Sequence, residues 1–580
     1  MDSHHRFEQN LRALSTRNPE LCARLKAAGV GSGRYGFRQA SSGDTVPVAV
    51  DGSGIARPLH STVNPKREAE RLVSATLCVA GDDNGPGGTG FAVFLGLGAG
   101  FTPREALNLP GVSGVLAIDY DIEGIAELFR VCDYTSLLGD PRFTLLVDPP
   151  PVLVESAVAE LYRPALSGGI KVLPLRARIE TDKKNFGEAG AAVRRGIEKV
   201  SADYSVQAHF GTRWFANIIR NIMAIQIRGH CTPATIPPPR EAVICAAGPS
   251  LDAQIPILLR RKGQGTGEPF VISTDTALPA LIHRGVRPDA VVSIDCQHIS
   301  YHHFTGSVCR DLPLFLDIAS PPLLSTLSGC PFFFSGGHPL AMYLRRKWMP
   351  LPVLDTSGGN VTFACLSLAE SLGATGITVC GADFSYPAGK IYAKGTYVFP
   401  YFERRQNRLS TMEAQVSAFL FRSPFLPSDS AAASAGPRRY ETATMRSYRQ
   451  SFERKVSEMA VEVSVMPGLG IPPSSRCIHD ALGTHGGTVF PAPGESVPTT
   501  GADEFLEGYR RDIDALPPLG EGREVGVYLQ SLNSGARQVF ATLLPQMAAL
   551  KHRRPELPLP ELFRAVRFYC IDEIDRVLNP

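Results

Sequence analysis

The chain has 580 residues, more than one hydrophobic core usually supports, so we expect several domains. Hydrophobic residues make up 44% and charged residues 20%, a composition typical of a folded protein. Lysine and arginine number 59 and aspartate and glutamate 56, and the net charge of +3 argues against a dedicated nucleic-acid-binding protein. No uninterrupted apolar stretch reaches about 18 residues, so we expect no membrane span.

The expected location is the cytoplasm. The chain begins "MDSHHRFEQNLRALSTRN", which is polar and lacks the apolar segment of a secretory signal. Its 12 cysteines are scattered, without a C-x-x-C pair or the Cys/His spacing of a zinc site, so we predict no metal centre. Several, such as Cys78, Cys245 and Cys380, lie in apolar runs, which favours reduced thiols in a core.

The first part of the chain predicts a helical segment over residues 1–75, in which Asn64 caps a helix that has Pro65 at its first position. Strands and helices alternate over 76–235, where "FAVFLGLGAG", "VLAIDYD" and "FTLLVD" read as strands. This alternation is typical of a parallel sheet, and we interpret 76–235 as a Rossmann-like domain.

A Pro-rich stretch, "TPATIPPPRE" at 232–241, predicts the main domain boundary. A second α/β domain follows over 236–422, with β-runs "AVICAAG", "PFVISTD", "AVVSID", "PLFLDIA", "PFFFSG" and "GITVCGADF". Residues 423–437 have the composition of a flexible linker, and 438–580 are predicted to be mainly helical. The predicted fold class is α/β, with two tandem Rossmann-like domains with parallel sheets and a helical C-terminal region.

Glycines at the end of a strand mark the first candidate site. In "FLGLGAGF", Gly96, Gly98 and Gly100 would let the backbone turn tightly and approach a ligand, and Asp119 ends the next β-run. This pattern resembles S-adenosylmethionine-dependent methyltransferases, where such an acid binds the ribose. The alternative is a glycine turn that only packs a strand against a helix.

Two further strand ends in the second domain predict anion sites. "AAGPSLD" (246–252) and "SGGN" (357–360) each place hydroxyls and glycines just before a helix, where free N–H groups and the helix dipole favour a phosphate. The residues expected to bind a nucleotide there are Gly248, Pro249, Ser250, Ser357, Gly358, Gly359 and Asn360.

Acidic residues and histidines follow the other strands of the same domain. Thr274 and Asp275 end "VISTD" and are expected to contact the base or ribose, while Asp383 ends "VCGAD". Asp295 ends "VVSID" and is followed by "CQHISYHHF". The candidate catalytic residues are Asp295, His298 and His303, with His302 and His338 as alternatives; each acid could instead cap a helix.

The order of four blocks carries a family resemblance. "AAGPSLD", "STDTALPALIHRGVRPDAVVSIDCQ", "TSGGNVTFACLSLAESLGATGITVCGADFSY" and "GKIYAKGTY" together resemble the Maf motility accessory factors. These are flagellin glycosyltransferases that share a domain with archaeal 6-hydroxymethylpterin diphosphokinases. The order is also similar to bacterial sialyltransferases that use CMP-activated nonulosonic acids, although Ala247 stands where those enzymes typically have asparagine. Tyr386 and Tyr392 match their phosphate-binding tyrosines, and their catalytic histidine has no clear counterpart.

The resemblance implies transfer of a nonulosonic acid from a CMP-activated sugar to Ser or Thr of flagellin. It implies no tightly bound cofactor, a CMP-sugar as co-substrate and flagellin as the protein partner, without nucleic acid. The helical C-terminal region is expected to hold the acceptor. Three alternatives stay open: an ATP-dependent pterin diphosphokinase, a methyltransferase that uses the first glycine cluster, and a flagellin-binding accessory protein without activity.

Overall fold

The structure is a computed structural model that describes residues 3–28, 33–50, 54–77, 89–229, 236–263, 268–307, 310–329, 331–426, 438–473, 498, 500–521 and 523–579. Most of the predicted linker 423–437, and Cys78, lie outside these residues. The seven cysteines inside them are buried free thiols. No helix among the described residues is long and apolar enough to cross a membrane.

The helices and strands alternate along most of the chain. The strands are β1 Tyr35–Gln39, β2 Thr45–Val50, β3 Ala56–Pro58, β4 Thr89–Leu95, β5 Gly114–Asp119, β6 Phe143–Val147, β7 Gly169–Pro174, β8 Glu241–Cys245, β9 Phe270–Thr274, β10 Ala290–Ser293, β11 Leu314–Asp317, β12 Pro331–Phe334, β13 Gly376–Cys380, β14 Tyr386–Pro387, β15 Arg439–Tyr440 and β16 Glu462–Val465.

The helices are α1 Ser3–Ser15, α2 Pro19–Ala27, α3 Pro65–Leu77, α4 Phe101–Asn108, α5 Ile122–Val131, α6 Thr135–Gly139, α7 Pro151–Leu161, α8 Pro164–Ser167, α9 Arg176–Thr181, α10 Lys183–Arg228, α11 Leu251–Lys262, α12 Leu278–His283, α13 Pro339–Lys347, α14 Val361–Ser371, α15 Val398–Glu403, α16 Met412–Leu420, α17 Ala443–Glu458, α18 Ala502–Asp514, α19 Arg523–Ser531, α20 Ser534–Arg553 and α21 Leu559–Leu578. Within the described residues, 3₁₀ helices span Asp275–Ala277, His298–Phe304 and Pro322–Thr326.

The chain divides into two compact units. The first comprises Met1–Thr212 and Asp512–Cys570, and the second Arg213–Arg511 and Ile571–Pro580. The division falls within α10, before the Pro-rich stretch in which the sequence predicts a boundary. A continuous helical pattern carries no mark of such a change, because the residues on either side have the same local conformation.

The first unit is built on a parallel sheet with the strand order β6-β5-β4-β7, and β1 to β3 form an antiparallel sheet. β4 and β5 are buried along almost their whole length, as expected of strands covered on both faces. The helix predicted after Asn64 begins at Pro65, and Oδ1 of Asn64 accepts a hydrogen bond from the Arg67 amide at 2.9 Å.

The second unit is built on a seven-stranded sheet in the order β12-β11-β10-β9-β8-β13-β16. All of its strand pairs are parallel. The six β-runs predicted for this part of the chain correspond to β8 to β13. Their apolar residues are buried because helices cover both faces of a parallel sheet. The α/β fold class with two parallel sheets is thus confirmed.

The region after residue 437 is mainly helical, as the sequence predicts, and it also contributes two short strands that the sequence analysis missed. β16 is an edge strand of the central sheet, where Val463 pairs with Ile377 of β13, and β15 pairs with β14. A four-residue strand with alternating exposure is too short for its pattern to stand out beside the strong helical pattern of α17.

Candidate functional site

The candidate functional site lies where the central sheet reverses the direction of its connections. From β8 the chain builds β9 to β12 on one side and then returns to place β13 and β16 on the other. β8 and β13 are therefore neighbours, with Cys245 beside Cys380 at their carboxyl ends. Open parallel sheets bind ligands in the crevice outside the strand ends at such a point.

Ser250, which follows β8, and Asp383, which follows β13, contact each other directly. The Ser250 amide donates to Oδ2 of Asp383 at 2.8 Å, and the Ser250 hydroxyl donates to Oδ1. A Cβ at Gly248 would collide with this carboxylate, so glycine is required there. The carbonyl of Pro249 accepts from the Asp252 amide at 3.3 Å and starts α11. The anion at the amino end of α11 thus comes from the chain itself.

The segment that follows β16 closes over this pair. The Leu469 amide donates to Oγ of Ser250 at 2.6 Å, and the Gly470 amide donates to Oδ1 of Asp383 at 2.9 Å. Ser250 and Asp383 are 4% and 5% exposed. The sequence predicts both as nucleotide contacts, and the structure places them in an internal network that joins the ends of β8 and β13.

Asp275 and His303 form a buried pair at the carboxyl end of β9. Nδ1 of His303 lies 3.3 Å from Oδ2 of Asp275, which also accepts from the Ser293 hydroxyl at 2.7 Å. The Thr276 amide donates to Oδ1 of Asp275 at 2.6 Å. Burial alone would raise the pKa of Asp275, but the charge of His303 and these hydrogen bonds outweigh burial and lower it. The ionised carboxylate orients the imidazole and leaves Nε2 for another partner.

Asp295, at the end of β10, lies within electrostatic range of this pair. Its Oδ1 accepts from the Gln297 amide at 2.9 Å. Burial raises the pKa of Asp295, and the charge of Asp275 adds to the rise, while that of His303 opposes it. The strand ends thus bring together two of the three candidate catalytic residues, Asp295 and His303.

The third candidate, His298, is not joined to that group. It is exposed at the start of a 3₁₀ helix, and no hydrogen bond within the described residues connects it to Asp275 or Asp295. His302 is also exposed, with its ring 6.2 Å from that of Tyr401. His338 caps α13 by accepting the Leu340 amide on Nδ1 at 3.2 Å, and burial lowers its pKa to about 3.

Thr274 occupies a structural position. It is 3% exposed, its hydroxyl donates to the Cys245 carbonyl at 3.2 Å, and the same oxygen accepts from the Ala277 amide at 3.3 Å. The side chain therefore ties β9 to β8 and caps the 3₁₀ helix that begins at Asp275.

The turn before α14 is the more open of the two predicted anion sites. Ser357 and Gly359 are exposed, and the φ angle of +70° at Gly359 lies in the left-handed region that favours glycine. Oδ1 of Asn360 caps α14 by accepting the Phe363 amide at 3.0 Å. Within the described part of the chain, the amides of Gly358 and Asn360 have no hydrogen-bond partner. They stand at the helix start, where unpaired amides and the helix dipole favour an anion.

Tyrosines and one arginine face the same cluster. The rings of Tyr392 and Tyr397 lie 6.4 Å apart, and Tyr397 lies 4.5 Å from the ring of His303. Burial raises the pKa of Tyr386, Tyr392 and Tyr397, and the charge of Arg422 opposes the rise in each. The exposed guanidinium of Arg422 therefore acts electrostatically on all three phenols and can attract an anionic group.

Three polar residues at this end of the sheet escaped the sequence analysis. Burial raises the pKa of Asp317, at the end of β11, to about 7. Tyr448 of α17 lies 3.3 Å from the position of a Cβ on Gly359, and the charge of Asp295 contributes to the raised pKa of Tyr448. Asp317 carries the same strand-end signal as Asp295, in "PLFLDIA". Tyr448 and Arg422 carry no such signal in the sequence, because only the tertiary fold brings them to this end of the sheet.

The first glycine cluster is filled by side chains of its own unit. Asp119 is fully buried, with Oδ1 3.1 Å from Nε of Arg178 and Oδ2 accepting the Leu97 amide at 2.6 Å. A Cβ at Gly98 would collide with the ring of His60, whose Nε2 accepts the Ala99 amide at 3.0 Å. The carboxylate that the methyltransferase alternative assigns to a ribose is thus paired with Arg178, an arrangement that favours the alternative of a packing turn.

Comparisons with known proteins agree with this architecture. Residues 217–389 match the family model of 6-hydroxymethylpterin diphosphokinase MptE-like proteins. Two uncharacterized proteins of Treponema pallidum (strain Nichols) are 38% identical over 122 residues and 33% identical over 159 residues. These matches cover 21% and 26% of this chain, which spans 42% of the length of the first protein and 72% of that of the second.

The fold also has a close counterpart among solved structures. A Maf glycosyltransferase from Magnetospirillum magneticum AMB-1 superposes with a TM-score of 0.60 at 13% sequence identity, over 100% of this chain and 96% of that one. The architecture is thus that of a Maf glycosyltransferase, as the four sequence blocks predict. The chain contains an MptE-like domain, residues 217–389, which supplies β8 to β13 of the central sheet and the Asp275–His303 pair.

Proposed function

We propose that this protein is a glycosyltransferase that moves a nonulosonic acid from a CMP-activated donor to Ser or Thr hydroxyls of flagellin. The observation that carries the proposal is the Asp275–His303 pair, set beside Asp295 at the carboxyl edge of the sheet. The Maf glycosyltransferase fold supports the same reaction class, and flagellin as the acceptor rests on the resemblance of the sequence blocks.

The reaction is a displacement at the anomeric carbon of the donor. The acceptor oxygen forms a bond to that carbon, and the bond from the carbon to the CMP phosphate oxygen breaks, so that CMP leaves with the electron pair. The hydroxyl proton goes to Nε2 of His303, because Nδ1 faces Asp275. Asp275 is a positioning residue that stabilises the imidazolium as it forms.

The donor phosphate has two candidate contacts at this edge. The free amides at Gly358 and Asn360 stand at the start of α14, and Arg422 lies beside Tyr386 and Tyr392. Hydrogen bonds to a departing phosphate strengthen as charge develops on its oxygen. Ser250, Thr274 and Asp383 support these contacts indirectly, since they hold the ends of β8, β9 and β13 in place.

Intact-mass analysis of flagellin tests the whole proposal. Flagellin from cells that contain the protein should carry an added mass that equals one or more nonulosonic acid residues. Flagellin from cells that carry the His303→Gln variant should lack it. An unmodified flagellin in both strains, or an unchanged modification in the variant strain, contradicts the proposed reaction.

The family description favours one second candidate, a diphosphokinase that uses ATP with Mg²⁺. Asp295 and Asp317 are carboxylates at neighbouring strand ends, and carboxylate oxygens are typical ligands of Mg²⁺. Calorimetry separates the two candidates. The transferase should bind CMP with or without Mg²⁺, whereas binding of ATP only with Mg²⁺, and no binding of CMP, favours the diphosphokinase.

A further inference from the structure

The first unit contains a cavity that the proposed function does not use. Its volume is about 240 Å³, and it lies at the amino-terminal ends of β4, β5 and β6, the opposite edge from the glycine loop. Helices α19 and α20 form the other wall. α19 approaches closely because Gly526 has no side chain, since a Cβ there would collide with the Arg142 side chain.

The lining of this cavity carries a marked excess of positive charge. Four arginines and one acid, Glu160, contribute to it: Arg17, Arg142, Arg163 and Arg537. Arg142 is neutralised, since Nε and Nη2 donate to the two oxygens of Asp140 at 3.0 and 2.7 Å and the remaining donors reach carbonyls. Arg17 donates to the carbonyls of Pro141 and Phe143, also at this rim.

Arg163 and Arg537 lack such a partner. Within the described residues, the Arg163 guanidinium has no hydrogen bond or ion pair, and the Arg537 guanidinium has one hydrogen bond, to the Gln530 carbonyl at 3.1 Å. Burial lowers the pKa of Arg163, and the charge of Arg537 lowers it further, against the opposing charge of Glu160. The two guanidiniums are thus close enough to repel each other. Partial burial of a guanidinium without hydrogen bonds costs free energy unless an anion pairs with it.

We propose that this cavity binds a small organic anion, whose phosphate or carboxylate group is held between Arg163 and Arg537. Each guanidinium can bind a carboxylate or a phosphate group through two parallel hydrogen bonds. The rest of the ligand packs on apolar side chains of the lining, such as Phe91, Leu161 and Phe540. The volume is below the roughly 300–1,000 Å³ of pockets for drug-sized ligands, so the ligand has a short carbon skeleton.

Calorimetry on the full chain tests this site with two anionic probes, glycerol 3-phosphate and butyrate, and with uncharged glycerol. We expect saturable one-to-one binding of at least one anion and none of glycerol. Binding of the phosphate ester alone identifies a phosphate ligand, and binding of butyrate alone identifies a carboxylate. Saturable binding of neither anion overturns the proposal.

Variants assign the binding to the cavity. Arg163→Gln and Arg537→Gln should each weaken the anion at least about tenfold, since each removes a charge-assisted contact. Arg38→Gln, which removes an exposed arginine of the same unit outside the cavity, should keep wild-type affinity. Equal affinity in all three variants overturns the proposal. Arg537 is exposed, so its variant remains informative if Arg163→Gln unfolds, and CMP titration of the same variants tests the central unit separately.

Discussion

Asp275 holds Nδ1 of His303 at 3.3 Å, with the pair buried at the end of β9 and the His303 ring packed against Tyr397. The two residues are separated by 28 positions in the chain, and the 3₁₀ helix that follows β10 brings them together. This contact distinguishes His303 from the other histidines of the same segment, because the carboxylate of Asp275 fixes the orientation of its imidazole.

Substitutions of His303 and of Asp275 should have different effects on the kinetics of sugar transfer. His303→Gln should lower the rate of sugar transfer to flagellin by about 10²–10⁴-fold, because the variant lacks the general base. Asp275→Asn should lower kcat and leave the KM for the donor nearly unchanged, because Asp275 acts through His303. Initial rates with purified flagellin measure both parameters. His298→Gln, at an exposed position outside the cluster, is the control and should keep the wild-type rate. Full activity of His303→Gln contradicts this assignment.

Substitution of Ser250 and substitution of Ser357 should have different effects on the stability of the protein. Ser250→Ala removes hydrogen bonds to Asp383 and from Leu469 in a buried network, so the free energy of unfolding should fall by about 1–3 kcal/mol. Ser357→Ala changes an exposed turn and should stay within about 0.5 kcal/mol of the wild type. Urea unfolding and CMP titration of both variants check this. A Ser250→Ala protein of wild-type stability that has lost CMP binding would restore Ser250 as a direct ligand contact.

Removal of residues 438–580 should unfold the second unit. The deletion takes away β16, which pairs with β13, and the segment whose amides bind Ser250 and Asp383. The sequence predicts the opposite result, an intact nucleotide-binding domain that has lost only its acceptor surface. Circular dichroism and limited proteolysis of the truncated chain decide between them. A cooperative thermal transition that CMP shifts upward would show that β16 is dispensable.

The stability of the first unit should depend on pH through His60. Burial lowers the pKa of His60 to about 4, whereas an unfolded histidine titrates near about 6.5. Between these values the unfolded chain binds more protons, so stability rises with pH. His60 should therefore contribute about 2 kcal/mol more at pH 7 than at pH 5, since each pH unit in this range is worth about 1.4 kcal/mol.

Urea unfolding of the wild type and of His60→Gln at both pH values measures this contribution. Glutamine places an acceptor near the Nε2 position, which receives the Ala99 amide, but it does not titrate. The pH dependence should shrink in His60→Gln and persist in His209→Gln, which changes an exposed histidine of the same unit. An identical pH dependence in all three proteins would contradict a neutral, buried His60.

Much of the fold follows from local patterns in the sequence. The six apolar runs from "AVICAAG" to "GITVCGADF" are strands because strands buried on both faces leave a continuous apolar signal. The acids Asp275, Asp295 and Asp383 stand at one edge because parallel strands place all their carboxyl ends together. The family resemblance rests on the same blocks, so the fold and the neighbourhood of the site were predictable.

The partners of each polar group were decided only by the tertiary structure. Ser250 lies in a sequence typical of a phosphate-binding turn, yet its amide donates to the carboxylate of Asp383, 133 residues further along the chain. Asp119 lies in a sequence pattern typical of a ribose-binding acid, yet its carboxylate accepts a hydrogen bond from Arg178, 59 residues further along the chain. A local pattern shows that a helix start or a strand end needs a partner, since its polar groups cannot be buried alone. Whether the chain or a ligand supplies that partner depends on long-range packing, which decides which segments return to the edge of the sheet.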